Sequence, residues 1–421
     1  MFFNKYVIPF LLVFVFLYDI RPIVFGKVIN IPLVILGFFF LKYIIDNCKG
    51  YNIEHIKIII CLGLFILVAI LQILFQAPPH GDRGLTYYFV EISILFIGMA
   101  GVIDSYYVKL RNKYTFLNII IFTGFIQSLI SLAMFFNENI RNLIANNFLS
   151  DAIVFMQNNE MRGYGLALAT TFSLTIVQSI ILFFIVYMLK QIQLKYVMIY
   201  LIAYVLIAIS VMLAGRTGSI GIALSLIIVF IKTIIGEKKE NYRLFLGSLI
   251  IIMVGIVLAV SILVDQNSPY FLWFQWAFEI LYSFGGTGKV STSSTNELLE
   301  MYKTLPDNAK TFIFGDGRLI GDTYNYWFES FSYYKNIDVG YLRLMFYFGI
   351  VMTIGFYGFY IFLIQRAFKY NLFSMSIATT ISIYLLIIEM KGLFLINLNV
   401  NLLIFCFYLI YLKKKQENVK F

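Results

Sequence analysis

Runs of about twenty apolar residues recur along this chain from end to end, separated by short polar intervals. That run length matches a bilayer, because about 20 residues at 1.5 Å each cover its roughly 30 Å hydrocarbon core. Twelve segments follow the pattern, at roughly 3–18, 28–45, 57–75, 87–103, 115–136, 166–189, 196–214, 220–235, 244–264, 339–364, 373–390 and 392–412. In lipid every backbone amide needs an internal partner, so only helices and closed barrels cross, and segments this long and uniformly apolar exclude barrel strands. The expected fold class is an all-α integral membrane protein of about twelve transmembrane helices. The first two spans are divided only at residues 19–22 and the last two only at residues 391–392.

The apolar pattern breaks at length once, over residues 265–338, with a smaller break at 137–165. The chain therefore divides into 1–264 with nine spans, a large loop at 265–338, and 339–421 with three spans and a basic tail. The large loop holds all three tryptophans, Trp273, Trp276 and Trp327, and a Gly315-Asp316-Gly317-Arg318 run. Its aromatic, almost uncharged segment 268–282 suits a helix lying in the membrane interface. The Gly/Ser/Thr-rich stretch 285–292 is a loop by composition. Ser294-Thr295-Asn296-Glu297 is a capping-box pattern that predicts a short amphipathic helix to about Leu305, ended by Pro306.

Charge orients the chain. With the N-terminus inside, the cytoplasmic segments collect Lys49, Lys57, Lys109, Arg111, Lys113, Lys190, Lys195, Lys238, Lys239, Arg243, Arg366, Lys369 and the lysines of the tail. The short opposite loops carry only Arg21, Lys27, Arg83, Arg141, Arg162, Arg216 and Lys391. The positive-inside rule then places both termini in the cytoplasm and both longer loops outside, the pattern of a protein that works on the outer face.

Composition agrees: 61% of residues are hydrophobic and 13% charged, with a mean hydropathy of +0.87. The net charge of +10 lies in inter-helix loops, so it is no nucleic-acid signature. The first apolar run lacks a small-residue cleavage site, so no cleaved leader is expected. Cys48, Cys61 and Cys406 are scattered, and no His/Cys cluster, nucleotide-binding motif or paired-Asp metal motif is present, so neither metal nor cofactor is expected.

Candidate chemistry concentrates on the outer side. Arg216 sits in a tight Gly215-Arg216-Thr217-Gly218 turn between two spans, where a guanidinium offers planar, bidentate contacts to phosphate and the glycines allow close approach. The alternative is an arginine snorkelling to headgroups. Arg162, before Gly163-Tyr164-Gly165, has similar surroundings or is an ordinary loop-to-helix junction. Gly315 to Arg318 reads as a turn. Asp338 stands at the mouth of a span with Arg343 five residues further in, about 7–8 Å deeper at helical rise. An arginine at that depth must pair or face a polar cavity. The carboxylate would serve as a general base, or as a helix N-cap within a structural ion pair. Glu91, Glu389 and Lys391 are ionisable groups in or beside spans, for which pairing is the simple account. His80 is a lone loop histidine. Trp327, with Tyr326 and Tyr341, is the candidate sugar-stacking surface, while Trp273 and Trp276 fit an interfacial belt.

Taken together, the twelve spans, the two outer loops, Arg162-Gly163-Tyr164-Gly165, Gly215-Arg216-Thr217-Gly218, Gly315-Asp316-Gly317-Arg318 and the Asp338-Val339-Gly340-Tyr341 entry to a span ending Tyr347-Phe348-Gly349-Ile350 resemble the Wzy-type O-antigen polymerases. These belong to the O-antigen polymerase and ligase group of bacterial membrane glycosyltransferases. The resemblance implies a GT-C-like bundle in the inner membrane with its active face periplasmic, serving lipopolysaccharide biosynthesis. It implies metal-independent, inverting transfer between undecaprenyl-diphosphate-linked oligosaccharides, with membrane lipid and a chain-length regulator protein as partners. On that model Arg216, Arg162, Arg318 and Arg343 hold the diphosphate, and Asp338 is the base, with Glu329 and Asp322 in reserve. O-antigen ligases carry a histidine near the large loop, and 265–338 has none. The rival class is a flippase for lipid-linked oligosaccharide, which would need little outside the bundle.

Overall fold

A computed structural model describes residues 7–47, 53–76, 82–110, 112–148, 163–168, 173–263, 293–325, 330–369 and 375–419. In chain order its helices are α1 (Ile8–Tyr18), α2 (Ile31–Asp46), α3 (Ile53–Gln76), α4 (Gly84–Leu110), α5 (Lys113–Phe136), α6 (Glu138–Asn147), α7 (Thr175–Met188) and α8 (Val197–Ala214). They continue as α9 (Ser219–Ile235), α10 (Lys239–Leu263), α11 (Ser293–Met301), α12 (Ala309–Phe314), α13 (Gly340–Ile364), α14 (Met375–Glu389) and α15 (Leu398–Val419). Two short antiparallel hairpins interrupt them: β1 (Ile23–Val24) with β2 (Lys27–Val28), and β3 (Ile320–Asn325) with β4 (Ser330–Tyr333).

Six helical stretches among the described residues are long and apolar enough to cross a membrane: Ile53–Gln76, Gly84–Tyr106, Tyr114–Phe136, Leu194–Ala214, Arg216–Ile235 and Gly340–Phe368. Shorter apolar helices cover Ile8–Tyr18, Thr175–Met188 and Ile377–Glu389. This is an α-helical membrane protein. One predicted span differs visibly: the segment expected from 166 has irregular and turn backbone at 163–168, and among the described residues helical backbone is present from 173, leading into α7 at Thr175. The hydropathy of 166–174 is apolar enough for helix, but the Gly-Tyr-Gly segment is held in another conformation by α5. Gln127 donates to the Tyr164 carbonyl at 2.8 Å and accepts from Leu166 N–H at 3.4 Å.

The chain forms two compact units, Met1–Pro32 with Asn112–Ser291, and Leu33–Arg111 with Thr292–Phe421. In the first, α5 packs against α1, α6, α7 and α8, and α9 packs against α7 and α10. Asparagines mark its helix ends. Asn112 accepts from the N–H groups of Tyr114 and Thr115 to start α5, and Asn137 both closes α5 and accepts from Ile140 N–H to open α6. In the second unit, α4 packs against α3 and α15, and α13 packs against α3, α12, α14 and α15. Gly98 and Gly101 let α4 lie directly on the backbone of α2: a Cβ at Gly98 would stand 2.5 Å from the Leu36 carbonyl, and one at Gly101 would collide with that of Phe39. Small residues at such a crossing are the usual means of close helix contact in lipid.

Candidate active site

The second unit gathers most of the predicted chemistry around a break in α13. At Gly349 the helix backbone turns to φ +76 and ψ 172, which frees the carbonyls of Phe346 and Tyr347 from their intrahelical partners. The Gly315-Asp316-Gly317 turn fills the gap, with Asp316 N–H donating to Phe346 O at 2.6 Å and Gly317 N–H to Tyr347 O at 3.1 Å. Both glycines have positive φ, and a Cβ on Gly315 would run into the Tyr347 backbone. From the other side α3 offers amides: Gln72 donates to the Phe314 carbonyl, and Gln76 to that of Gly315 at 3.5 Å. Asn308 caps α12 through Thr311 N–H at 2.8 Å. The Gly-Asp-Gly-Arg run is therefore the plug of a broken helix as well as a turn.

Beyond the plug the chain enters β3, and Asp82 anchors it there. This carboxylate is almost wholly buried and accepts from Leu319 N–H at 2.5 Å and Ile320 N–H at 2.9 Å. Arg318 is thereby fixed at the start of the hairpin. Its guanidinium lies 4.7 Å from the centre of the Tyr334 ring and pairs with Asp322 at 2.5 Å. The Tyr334 hydroxyl donates to Asp316 at 3.1 Å, and its pKa is raised by burial and then by that carboxylate.

Asp338 and Arg343 form an ion pair at 3.7 Å, the feature that belonged to the structural alternative for this carboxylate. The N-cap of α13 is Val339, with no side-chain cap, so Asp338 is not spent as a helix cap. Its carboxyl is held above the ordinary carboxylate range by burial, an effect opposed by Arg343 and by Lys391. Arg343 stacks 3.9 Å over the Tyr333 ring, with a side chain only 15% exposed. The two guanidinium groups thus rest on consecutive tyrosines. The Nε of Arg318 and the Nε of Arg343 are both buried without a hydrogen-bond partner among the described residues. Buried donors of this kind are normally satisfied, by a ligand or water if not by protein.

Tyr341 donates to the Leu386 carbonyl at 2.6 Å, and its ring lines an apolar cavity of about 400 Å³ shared with Leu342, Met345, Ile350, Thr353 and Tyr357. All of these belong to α13, Tyr341 standing three residues after Asp338, and Leu386 of α14 completes the lining.

Glu389 has a larger part than simple pairing. It is fully buried, and one oxygen accepts from the N–H groups of Phe394 (2.6 Å) and Leu395 (2.5 Å), the other from the Tyr357 hydroxyl at 2.7 Å. Asn401 holds the same turn from α15 through the carbonyls of Leu395 and Asn397, at 2.7 and 2.9 Å. Gly340 admits this carboxylate, since a Cβ there would stand 2.5 Å from Oε2. Lys391, on the turn so fixed, is the cation that bears on Asp338.

Arg216 belongs to the first unit, half-buried in a one-turn 3₁₀ segment, Arg216–Gly218, between α8 and α9. Gly218 is tight against Val211 and Thr175, and Ser219 Oγ donates to the Arg216 carbonyl at 2.7 Å. Gly163 and Gly165 serve close packing on α5, with Gly165 at φ +59 against Gln127. Arg162, Glu329, Tyr326, Trp327, His80, Trp273 and Trp276 lie outside the described residues. No group of three or more His, Cys, Asp or Glu among the described residues is arranged to hold a metal ion.

Asp82 and Gln72 were not singled out by the sequence pattern, and Gly349 entered it only within Tyr347-Phe348-Gly349-Ile350. The available signals were a carboxylate next to a Pro-Pro turn, an amide within an apolar span, and a glycine in mid-span. No family model, curated relative or solved structure matches the chain.

Proposed function

We propose that this protein is a membrane glycosyltransferase that polymerises lipid-diphosphate-linked oligosaccharide repeat units, in the manner of an O-antigen polymerase. The observation that carries the reading is Asp338 paired with Arg343 at the mouth of α13, beside an apolar cavity and near a second stacked arginine. A lipid-linked sugar diphosphate has three parts, an apolar tail, a dianionic bridge and a polar glycan, and the described residues of this region offer a complement to the first two. The cavity of about 400 Å³ is suited to part of an isoprenoid chain. Arg343 and Arg318, each with an unmatched buried Nε, are suited to the diphosphate, for which arginine has the right planar donor geometry.

In the reaction, Asp338 takes the proton of an acceptor sugar hydroxyl. The oxygen attacks the anomeric carbon of the donor glycan, the carbon–oxygen bond to the diphosphate breaks, and the lipid diphosphate leaves with that electron pair. Arginines neutralise the departing charge, the work a divalent cation does elsewhere. A diphosphate role for Arg216, which belongs to the first unit, rests on its Gly-Arg-Thr-Gly turn alone. The active face is the side of the Gly340 end of α13, which the positive-inside pattern makes periplasmic.

The test is complementation of a host lacking its own polymerase. Asp338→Asn, Arg216→Ala and Arg216→Lys would be matched for membrane level, and surface polysaccharide run on a gel. Loss of the ladder with single repeat units still capped on the lipid anchor supports polymerisation. Full ladders from all three variants would overturn these residue assignments.

A further inference from the structure

The plug at Gly349 also locates α12 relative to the bilayer. Gly349 lies nine residues beyond Gly340, about 13 Å along α13 at helical rise. On its other side α12 is tied to the last turn and a half of α3 by Gln72 and Gln76, and Lys310 Nζ donates to Gln76 Oε1 at 2.9 Å. Both supports are among the helices long enough to cross the membrane. The plug therefore sits below the ends of two spanning helices, at the level where headgroups give way to acyl chains.

At that level α12 is apolar and uncovered. Phe312 and Ile313 are more than two-fifths exposed and Phe314 is 62% exposed. Exposed apolar side chains continue from them along both supports: Leu74 and Phe75 on α3, Val351 and Ile354 on α13. Non-helical backbone at membrane depth is tolerated only where protein satisfies it. That condition is met, because the carbonyls of Phe314 and Gly315 are served by the glutamine amides, and the N–H groups of Asp316 and Gly317 by the broken helix.

We infer that residues 309–317 form a membrane-inserted element, with the Phe312-Ile313-Phe314 edge seated among lipid acyl chains just beneath the headgroups of the leaflet at the Gly340 end of α13. The occupant of this surface is lipid, because the edge continues the lipid-facing bands of the two helices that hold it. Arg318 then emerges from the leaflet itself, at the height of lipid phosphates. This inference is independent of the glycosyltransferase reading and of its failure.

The test uses tryptophan as a depth reporter. In full-length protein with Trp273, Trp276 and Trp327 replaced by Phe, Phe314→Trp and, separately, Phe312→Trp would be reconstituted into phosphatidylcholine vesicles brominated at chosen acyl positions. Blue-shifted emission that is lost in bromolipid, most strongly with bromines near the headgroup, is the expected result. Emission indifferent to bromolipid overturns the inference, with aqueous iodide telling whether water or protein covers the edge instead. The two reporters occupy different positions, so a folding defect in one leaves the other to decide.

Discussion

At Asp338 burial and charge pull in opposite directions. Burial raises the carboxyl pKa above its ordinary value, and the cations Arg343 and Lys391 pull it back. A general base acts only when deprotonated, so transfer activity is expected to rise with pH along an acid limb centred above the usual carboxylate range. Removing a cation in Lys391→Gln should move that limb to higher pH, and Asp338→Asn should abolish it with a fall of about 10²–10⁴-fold in rate. A rate-versus-pH series on purified variants checks both. Stability has the opposite sign. A carboxyl whose folded pKa exceeds its unfolded one contributes stability at low pH that is lost as pH rises through the folded value, so Asp338→Asn should flatten that loss. Glu389 behaves differently, because its oxygens satisfy two backbone N–H groups and a tyrosine hydroxyl. Truncation to Ala would orphan these donors, at about 1–3 kcal/mol for each group left buried and unpaired. Glu389→Ala is therefore expected to lower the melting temperature in detergent well below that of Glu389→Gln, which keeps one acceptor.

Among the elements, the break in α13 was the least legible feature. Tyr347-Phe348-Gly349-Ile350 is apolar, and a single glycine is common in spanning helices, so nothing local announces the kink. Its partner turn is more than thirty residues earlier in the chain, and no period or propensity couples sites that far apart. The same holds for Asp82, which anchors a hairpin 237 residues later. The Asp338–Arg343 pair, by contrast, was readable because both residues lie on one helical turn and a half, and an arginine inside a span demands a partner. The six helical stretches long enough to cross a membrane fall in predicted spans because lipid forces the apolar run length, whereas the irregular backbone at 163–168 was not readable, since Gln127 competes for it. Gly349→Ala and Gly315→Ala would each force a side chain into positive φ and into facing backbone. Each should cost at least about 1–3 kcal/mol. Lower membrane levels and earlier thermal unfolding, relative to Gly355→Ala where nothing stands within 4 Å of an added Cβ, are the expected readings.

For the whole molecule, the positive-inside rule predicts one set of loops in the cytoplasm and 265–338 outside. Cysteine reporters in a cysteine-free background test this directly. A reporter at Glu297 should react with a membrane-impermeant thiol reagent added to intact cells, and one at Lys238 only after permeabilisation. The proposed transfer is measured most directly on the purified protein. It would be reconstituted in liposomes with lipid-diphosphate-linked repeat units and a metal chelator, and the products run on a gel beside the Asp338→Asn variant. The expected result is a ladder from the wild type with one lipid diphosphate released per linkage, and none from Asp338→Asn. Repeat units left unjoined by folded wild-type protein, or a ladder undiminished in Asp338→Asn, would contradict a transferase built on this site.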